Sequence, residues 1–226
     1  MVHIFTTTVR PLAPVFEAGL TLITPARRER IETLSIPDDR LRSLGAGLLL
    51  RAVLGVQDDN QLAYGPLGKP ALSCGNPCFS LSHSGDLIIL AVDTMELGAD
   101  VEQPRRARPR LAAYACTPEE RAWLAAGDEQ QRFYTLWTRK ESVMKASGLG
   151  LALRPASFTV LPLNAPCRAA ERLWYVSGGI LNGHFFSVAC ARQPSGFVVH
   201  TLTADSLTSP SGGPALYEIV RSQSDT

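Results

Sequence analysis

The sequence contains a faint internal repeat that constrains the fold more than any other feature. The dipeptide Thr24-Pro25 recurs as Thr117-Pro118, and Gly55 recurs as Gly148 at the same spacing. The stretch 85–92 resembles the stretch 183–190, since each begins with glycine and continues as an apolar strand. This pattern predicts two similar α+β halves of about 100 residues that pack as an intramolecular pseudo-dimer. The interface between two such halves is the expected place for a ligand cleft.

Composition excludes several classes of protein. The chain has 226 residues with 22 basic and 21 acidic side chains, a formal net charge of +1. This balance argues against a dedicated nucleic-acid binder, which usually carries a clear basic excess. Hydrophobic residues make up 45% of the chain, which suffices for a core and excludes intrinsic disorder. No apolar run reaches the roughly 18 residues of a membrane helix, and the start lacks a secretory pattern. We therefore expect a cytoplasmic protein without membrane or nucleic-acid partners.

Local signals predict helices and strands in both halves. Proline in the first turn and glycine at the end indicate helices that begin near Pro25, Pro37 and Pro118 and end near Gly55 and Gly148. Residues 57–77 are rich in Gly, Pro and Asn and predict a loop. The longest helix is predicted at 128–147, and strands at 2–9, 79–82, 87–92, 156–161, 172–177, 184–191, 197–202 and just before Glu102. We place the N-terminal half at 1–98, the C-terminal half at 99–203 and a loose polar tail at 204–226.

A pair of carboxylates follows the apolar strand that ends the first half. Asp100 and Glu102 are two residues apart, so their side chains project from the same face of a strand. Mg²⁺ typically binds one or two carboxylates together with water and substrate phosphate, which makes this pair a candidate metal site. The alternative explanation is a solvated acidic pair at a strand end.

The predicted helix 128–147 carries a second candidate group on one face. Trp137, Glu141 and Lys145 follow one another at intervals of four residues and therefore line one side of the helix. If this face lies beside Asp100 and Glu102, Glu141 becomes a third metal ligand and Lys145 a phosphate contact. By itself, the Glu141–Lys145 spacing is also that of an ordinary ion pair on a helix surface.

Two further groups are candidates for phosphate binding. The turn Ser82-His83-Ser84-Gly85 offers hydroxyls, backbone N–H groups and an imidazole between two predicted strands. A polar hairpin turn with a satisfied histidine is the alternative, and no G-x-S-x-G motif supports a serine hydrolase. Arg27 and Arg30 are three residues apart and share a helix face, although a solvated basic face gives the same pattern.

Taken in order, the segments GKP (68–70), LSHS (81–84), GADVE (98–102) and WTRKESVMKASGLGL (137–151) resemble the signature of the 4′-phosphopantetheinyl transferases. They match the long type that activates surfactin synthetase. The resemblance covers about residues 20–160, and the ordered set is more specific than any single motif. It implies the α+β pseudo-dimer fold of that family. It also implies transfer of the phosphopantetheine arm of coenzyme A to a serine of an apo carrier protein, with release of adenosine 3′,5′-bisphosphate.

The resemblance also implies roles for individual residues. By similarity, Asp100, Glu102 and Glu141 hold Mg²⁺, or alternatively Mn²⁺, on the pyrophosphate. Lys145 contacts the pyrophosphate and protonates the leaving phosphate, and Glu141 is the candidate base for the attacking serine. The coenzyme A contacts implied by similarity are His83 and Ser82 at the adenosine 3′-phosphate, with Arg27, Arg30, Ser43 and Lys69 elsewhere on the molecule.

Glu120 has two explanations. It aligns with an acidic residue that the family places near the metal, which makes it a candidate catalytic residue. The run Thr117-Pro118-Glu119-Glu120 is also a capping-box pattern, with Thr at the N-cap and Glu three residues later. The family's usual phenylalanine just before this Glu is absent, because positions 115 and 116 are Ala and Cys.

Three classes of function are compatible with these patterns. The first is a Mg²⁺-dependent transferase that serves acyl or peptidyl carrier proteins of fatty-acid, polyketide or peptide synthesis. The second is a non-catalytic module that binds carrier proteins, and the third is a Mg²⁺-dependent phosphohydrolase acting on coenzyme A. The presence of Asp100, Glu102, Glu141 and Lys145 together favours the transferase. A pseudo-dimer contains both sides of its own cleft, so we expect a monomer.

Overall fold

The structure is a computed structural model that describes residues 1–105, 109–209 and 215–224. Its mixed α+β architecture confirms the predicted class. The strands are β1 (Val2–Thr8), β2 (Leu62–Tyr64), β3 (Pro70–Leu72), β4 (Cys78–Ser84), β5 (Leu87–Asp93), β6 (Leu97–Glu102), β7 (Cys167–Ala169), β8 (Arg172–Leu181), β9 (His184–Cys190) and β10 (Phe197–Thr201). The α-helices are α1 (Phe16–Leu20), α2 (Pro25–Thr33), α3 (Pro37–Leu54), α4 (Pro109–Ala115), α5 (Pro118–Ala125), α6 (Glu129–Ala146), α7 (Ala204–Thr208) and α8 (Leu216–Ser224).

The helix ends follow the local signals in the sequence. Helices α2, α3 and α5 each begin with proline. An N–H at the first helical position would have no partner within the helix, so proline can stand there without the loss of a hydrogen bond. Helix α3 ends where Gly55 takes the left-handed conformation with φ of 70°, which glycine adopts without steric cost. In the part of the chain that the structure describes, no helix combines the length and apolar character needed to cross a membrane.

The first sheet has the strand order β10-β1-β5-β4. Strand β1 pairs antiparallel with β5 and parallel with β10, so His3 lies between Val92 and Val198. Helix α3 covers one face of this sheet, and its buried Leu44 and Leu48 share a core with Phe5, Ile88 and Leu90 of the strands. The predicted strand–helix–helix–strand order of the first half is therefore observed.

The second sheet has the order β6-β9-β8-β7 and is covered by helix α6. The core between them includes Leu136, Val143 and the fully buried Trp174. Gly98 on β6 allows a close approach of the helix, because a Cβ at this position would lie 2.7 Å from Ala146 Cα. Helix α6 therefore packs directly on the strand that carries Asp100 and Glu102.

A third apolar cluster fills the space between the two sheets. It contains Ile4 and Ile89 of the first sheet and Ala99, Val101 and Val188 of the second. Because strand side chains alternate between faces, each sheet has one face toward its own long helix and one toward the other sheet. This arrangement of two helix-covered sheets around a common core is compatible with the predicted pseudo-dimer.

The segment 156–161 is not the predicted strand. A 3₁₀ turn spans Pro155–Ser157, and irregular chain follows it. Side chains satisfy its backbone groups, since Glu120 accepts the Val160 N–H at 3.0 Å and Lys140 Nζ donates to the carbonyls of Pro155 and Phe158. Phe158, Thr159 and Val160 favour a strand, but among the described residues no strand pairs with this segment.

Two other segments hold more regular structure than predicted. The stretch 57–77, predicted as a loop, contains the short hairpin of β2 and β3. The tail from 204, predicted to be loose, contains α7 and α8, whose Leu207 and Tyr217 are buried in the core beside α3. Residues 210–214 and 225–226 of that tail lie outside the described residues.

Strand β10 belongs to the sheet of the first half, because it pairs with β1. The predicted division places residues 197–203 in the C-terminal half, on sequence order alone. The first sheet therefore combines strands from the two ends of the strand order, whereas the second sheet is built from the consecutive strands β6 to β9. The boundaries of the two halves remain a proposal.

Candidate functional site

A cavity of about 640 Å³ opens between the two sheets, at the end of helix α2 and beside helices α3 and α6. It brings together all the site residues predicted from the sequence except Lys69 and Glu120. The predicted residues that line it are Arg27, Arg30, Ser43, Ser82, His83, Asp100, Glu102, Glu141 and Lys145. Arg27 and Arg30 lie on the side of α2, and the three carboxylates Asp100, Glu102 and Glu141 lie on the side of β6 and α6.

Three carboxylates share the acidic side of the cavity. Asp100 and Glu102 alternate along β6 and face α6, where Glu141 stands. Burial, followed by the negative charge of Asp100, raises the pKa of Glu141 to about 7. The same two causes raise the pKa of Glu102 above its usual range. These shifts indicate that the carboxylates lie close enough to repel one another.

Lys145 and Ser82 hold one oxygen of Asp100. Lys145 Nζ donates to Asp100 Oδ1 at 2.7 Å and to Ser82 Oγ at 2.8 Å. Ser82 Oγ in turn donates to the same Asp100 oxygen at 2.8 Å. The single proton of the Ser82 hydroxyl is therefore committed to Asp100. The role of Ser82 at the adenosine 3′-phosphate stays a prediction.

The second oxygen of Asp100 supplies a test of whether a cation fits this site. Asp100 Oδ2 is buried and has no hydrogen-bond partner. Buried polar atoms are normally paired, and hard oxygen donors are the ligands that Mg²⁺ prefers. The donor chemistry therefore fits a divalent cation. Across the described ranges, however, no three His, Cys, Asp or Glu side chains already stand as a ligand cluster, and Lys145 neutralises Asp100 instead.

The basic side of the cavity is formed by α2 and by the end of strand β4, where His83 lies within the strand and not in the predicted turn. Arg27 is half-buried, and its Nη1 donates to the backbone carbonyl of Ser43 at 3.5 Å. Burial lowers the pKa of its guanidinium, which still remains charged near neutral pH. Desolvation, then the positive charges of Lys145 and Arg42, lower the pKa of His83. His83 is therefore a neutral imidazole at pH 7 and can donate through one ring N–H.

Lys69 lies outside this cavity. Its Nζ donates to the carbonyl of Ala146 at 2.8 Å and to that of Leu97 at 3.1 Å. It therefore caps the C-terminus of α6, where unpaired carbonyls attract a cation, and ties that helix to β6. Burial lowers the pKa of its ammonium group. The contact of Lys69 with coenzyme A stays a prediction.

Glu120 also lies outside the cavity, fully buried beneath α6. Its Oε2 lies 2.9 Å from Lys140 Nζ, and neither side chain has exposed surface. The same oxygen accepts the backbone N–H of Thr117 at 2.8 Å, and Thr117 Oγ1 accepts the N–H of Glu120 at 3.2 Å. The capping box is therefore observed, and both oxygens of Glu120 are bound outside the cavity. This arrangement favours the structural explanation, and the catalytic role of Glu120 stays a prediction.

Sequence reasoning missed two residues that orient Glu102. Trp137 Nε1 donates to Glu102 Oε1 at 3.2 Å, and Ser84 Oγ donates to Glu102 Oε2 at 2.8 Å. The spacing of Trp137, one helical turn before Glu141, placed it on the correct face without revealing its partner. Ser84 stands two residues after Ser82, so strand alternation was the signal that could have found it.

The comparisons with known proteins agree with this site. The profile of the 4′-phosphopantetheinyl transferase superfamily matches residues 96–182, which include β6 and α6. The transferase Sfp of Bacillus subtilis is 31% identical over 153 residues, 64% of this chain and 68% of Sfp.

Two other relatives carry the same family name. A Synechocystis protein is 35% identical over 159 residues, 64% of this chain and 63% of its own length. AcpT of Salmonella typhimurium is 40% identical over 111 residues, 46% of this chain and 56% of AcpT. The chain thus spans somewhat less than two thirds of the Synechocystis protein and just over half of AcpT. The family match and the similarity to Sfp together establish that the chain belongs to the 4′-phosphopantetheinyl transferase superfamily.

Proposed function

We propose that this protein transfers the 4′-phosphopantetheine arm of coenzyme A to a serine hydroxyl of an apo carrier protein and releases adenosine 3′,5′-bisphosphate. The observation that carries the proposal is the division of charge within one cavity. Arg27 and Arg30 stand on one side, and Asp100, Glu102 and Glu141 stand on the other together with Lys145, which is paired with Asp100. This arrangement suits a substrate with several phosphates whose reacting phosphate must sit beside a cation.

The basic side would hold the part of coenzyme A that does not react. Arg27 and Arg30 share one face of α2 and present guanidinium groups, which bind phosphate oxygens in pairs. His83 lies on the same side and would donate a hydrogen bond to the adenosine 3′-phosphate. These contacts would orient the pyrophosphate toward Lys145.

The acidic side would hold a divalent cation through Asp100, Glu102 and Glu141. Mg²⁺, or Mn²⁺ in its place, supplies charge neutralisation for the pyrophosphate oxygens when bound. The unpaired buried Oδ2 of Asp100 and the mutual repulsion of the carboxylates support this assignment. Metal dependence is part of the proposal.

The remaining chemistry falls to Glu141 and Lys145. The carrier serine oxygen forms a bond to the β-phosphorus while the bond from that phosphorus to the bridging oxygen of the pyrophosphate breaks, and this oxygen leaves on the 5′-phosphate of adenosine 3′,5′-bisphosphate. A carboxylate oxygen of Glu141 takes the proton of the serine hydroxyl, which is a poor nucleophile until it loses that proton. Lys145 Nζ neutralises the charge that develops on the leaving phosphate and returns a proton to it.

We also propose that the partner is an acyl or peptidyl carrier protein, that the protein acts as a cytoplasmic monomer, and that it serves fatty-acid, polyketide or peptide synthesis. The two sheets already supply both sides of the cavity from a single chain, which supports a monomeric site.

The decisive experiment incubates the protein with coenzyme A, Mg²⁺ and apo carrier proteins of the three pathways, and weighs each carrier by mass spectrometry. We expect one carrier or more to gain the phosphopantetheine mass, and a chelator to prevent the gain. Adenosine bisphosphate released without any carrier would instead identify a coenzyme A phosphohydrolase. Carrier binding without any mass gain would identify a non-catalytic module.

A further inference from the structure

Three alternating serines of β4 form a ladder with the backbone of β6. The N–H groups of Ala99, Val101 and Gln103 donate to serine hydroxyl oxygens at 2.9, 3.3 and 3.1 Å. The acceptors are Ser80, Ser82 and Ser84 in that order, each 19 residues earlier in the chain. We call this set the serine ladder.

The serine ladder joins strands that belong to different sheets. Strand β4 is an edge of the first sheet and β6 an edge of the second, and the two share no backbone pairing in the part of the chain described. The N–H groups of one side of β6 therefore lack carbonyl partners from a neighbouring strand. Serine hydroxyls take the place of those carbonyls, and Ser80 and Ser82 are both buried.

Each serine with its N–H donor is one rung of the serine ladder, and the three rungs differ in the other hydrogen bonds that the serine hydroxyl makes. Ser82 Oγ donates to Asp100 Oδ1 and Ser84 Oγ donates to Glu102 Oε2, both at 2.8 Å. Both hydroxyls therefore connect a β6 backbone N–H with the carboxylate on the preceding residue. The rung at Ser80 meets Ala99 N–H, and the preceding residue, Gly98, has no side chain to orient.

We propose that the hydroxyls of Ser82 and Ser84 are positioning groups that fix the rotamers of Asp100 and Glu102 toward the cation and the pyrophosphate. This proposal rests on the function proposed above. Each hydroxyl is held by a backbone N–H of β6 and directs its proton to a carboxylate of the same strand, so the carboxylate cannot turn without breaking the bond. Serines of the first sheet thus orient carboxylates of the second sheet. The two carboxylates keep their rotamers only while the two sheets remain in contact.

The placement of Glu102 strengthens this argument. Its two oxygens are bound from opposite sides, Oε2 by Ser84 of the first sheet and Oε1 by Trp137 of α6. A carboxylate held at both oxygens has one orientation available. Groups that orient metal ligands in this way commonly change metal affinity or turnover by about 10- to 100-fold when removed.

Ser80→Ala provides the matched control for Ser84→Ala. Each variant removes one rung of the ladder, but only Ser84→Ala also releases a carboxylate. We expect both to lower the urea midpoint of unfolding to a similar degree. We expect Ser84→Ala alone to lower kcat and Mn²⁺ affinity by about 10- to 100-fold, with little change in KM for coenzyme A.

Mn²⁺ affinity is measured by electron paramagnetic resonance on the protein without substrate, so this readout does not depend on turnover. Ser84→Thr, which keeps the hydroxyl on a strand residue, is expected to restore both kcat and Mn²⁺ affinity. Ser82→Ala is expected to behave as Ser84→Ala does.

The outcomes separate this proposal from the proposed function. If Ser80→Ala and Ser84→Ala reduce kcat and Mn²⁺ affinity equally, the ladder is only structural and the proposal is overturned. Wild-type Mn²⁺ affinity and kcat in Ser84→Ala overturn it as well. If the wild-type protein modifies no carrier, the proposed function fails, while the comparison of Mn²⁺ affinities still decides the role of the serines.

Discussion

Asp100 stands at the centre of the site because its two carboxylate oxygens have different surroundings. Oδ1 is bound by Lys145 and Ser82, whereas the buried Oδ2 has no partner. An aspartate in this position is held in place by protein on one oxygen and leaves the other for a ligand. The cost of an unpaired buried oxygen is then recovered when a cation binds.

The first prediction tests the carboxylates. Asp100→Asn and Glu141→Gln each remove one negative charge with little change in shape. We expect carrier modification to fall by more than about 100-fold, the scale for loss of one preorganised electrostatic group. Circular dichroism and urea unfolding should show a folded protein. Wild-type turnover in either variant, with metal still required, would contradict the assignment.

The second prediction concerns His83. Its proposed ligand, the adenosine 3′-phosphate, is remote from the reacting phosphate, so His83→Ala should raise KM more than it lowers kcat. A hydrogen bond to a charged group contributes about 1.5–3 kcal/mol, so affinity should fall about ten- to a hundredfold. The measurement is steady-state kinetics with coenzyme A and with 3′-dephospho-coenzyme A.

The comparison of the two substrates identifies the role of His83. The wild type should prefer coenzyme A, and His83→Ala should lose most of that preference because the group it binds is missing from one substrate. A structural histidine would leave the preference unchanged while lowering stability. A general base would lower kcat equally for both substrates.

The third prediction concerns the buried pair of Glu120 and Lys140. Removal of one partner leaves a charge without a partner inside the core, so Glu120→Gln should lower the free energy of unfolding by about 3–5 kcal/mol. The exposed pair of Glu96 and Arg172 provides a control, and Glu96→Gln should cost about 0–1 kcal/mol. Urea unfolding measures both. Lost activity in Glu120→Gln with unchanged stability would instead support a catalytic role for Glu120.

At the scale of elements, the contact between α6 and β6 decides whether the site forms. These two elements carry Asp100, Glu102, Glu141 and Lys145, and Gly98 sets their separation. Lys69 adds a second connection, because its ammonium binds carbonyls at the end of α6 and at the start of β6. Residues far from the substrate thus control the distance between groups that meet it.

The fourth prediction follows from this contact. In Gly98→Ala the new methyl group collides with the backbone of α6 near Ala146, so the helix must move away. We expect a loss of about 1–3 kcal/mol of unfolding free energy. A displacement of about 1 Å should also lower kcat by roughly 100-fold. Gly179→Ala on β8 is the control, because its new Cβ would meet only Phe186 at 3.7 Å. Equal behaviour of the two variants would show that the close approach is unimportant.

Elements with local signals were predictable, and elements with distant partners were not. Pro37 and Gly55 mark the ends of α3 within the helix itself, and the capping box of Thr117 and Glu120 marks the start of α5. The segment after Pro155 carries strand-forming residues, yet its backbone partners are Lys140 and Glu120 rather than another strand. No residue near that segment in the sequence indicates that Lys140 and Glu120 bind its backbone.

The site was predictable to a similar extent. Strand periodicity placed Asp100 and Glu102 on one face of β6, and helix periodicity placed Glu141 and Lys145 on one face of α6, because each pattern needs only its own element. That these two faces meet followed from the family resemblance and not from periodicity. The partner of Ser82 could not be read from the sequence, since it depends on the register between β4 and β6. The carbonyls that Lys69 binds could not be predicted for the same reason, because they lie in elements later in the chain.

At the scale of the whole molecule, the pairing of β1 with β10 joins the first and the last of the described strands. His3 and His200 lie on these neighbouring strands, with His3 Nδ1 3.1 Å from His200 Nε2 and the rings stacked at 5.4 Å. Burial and the proximity of His200 lower the pKa of His3, and burial lowers that of His200. Both imidazoles are therefore neutral in the folded protein near pH 7.

The fifth prediction is a loss of stability in weak acid. Above the ordinary histidine pKa of about 6.5, neither folded nor unfolded chain protonates these rings, so they cost nothing. As pH falls below that value, the unfolded chain takes up protons that these two folded rings resist, so the contribution of the pair to the free energy of unfolding decreases. The raised pKa of Glu141 acts in the opposite direction over this pH range, equally in wild type and in a histidine variant, so the difference between the two proteins isolates the pair. Urea unfolding between pH 8 and pH 5 measures the slope.

His200→Gln should reduce that slope, because it removes one titrating ring and the charge that opposes protonation of His3. Both proteins should have similar stability at pH 8, where the histidines are neutral in either state. An identical pH profile in wild type and variant would show that the pair does not contribute.

The parallel pairing of β1 with β10 has a consequence for the order in which the chain is made. Of the described strands, β1 leaves the ribosome first and β10 last, with 195 residues between Thr6 and Thr201. At about 5–20 residues per second, the outer edge of β1 waits roughly 10–40 seconds for its partner. During that interval a strand that is almost wholly buried in the folded protein presents unpaired N–H and C=O groups to any other nascent chain. We therefore expect crowding on polysomes to favour aggregation of the incomplete chain.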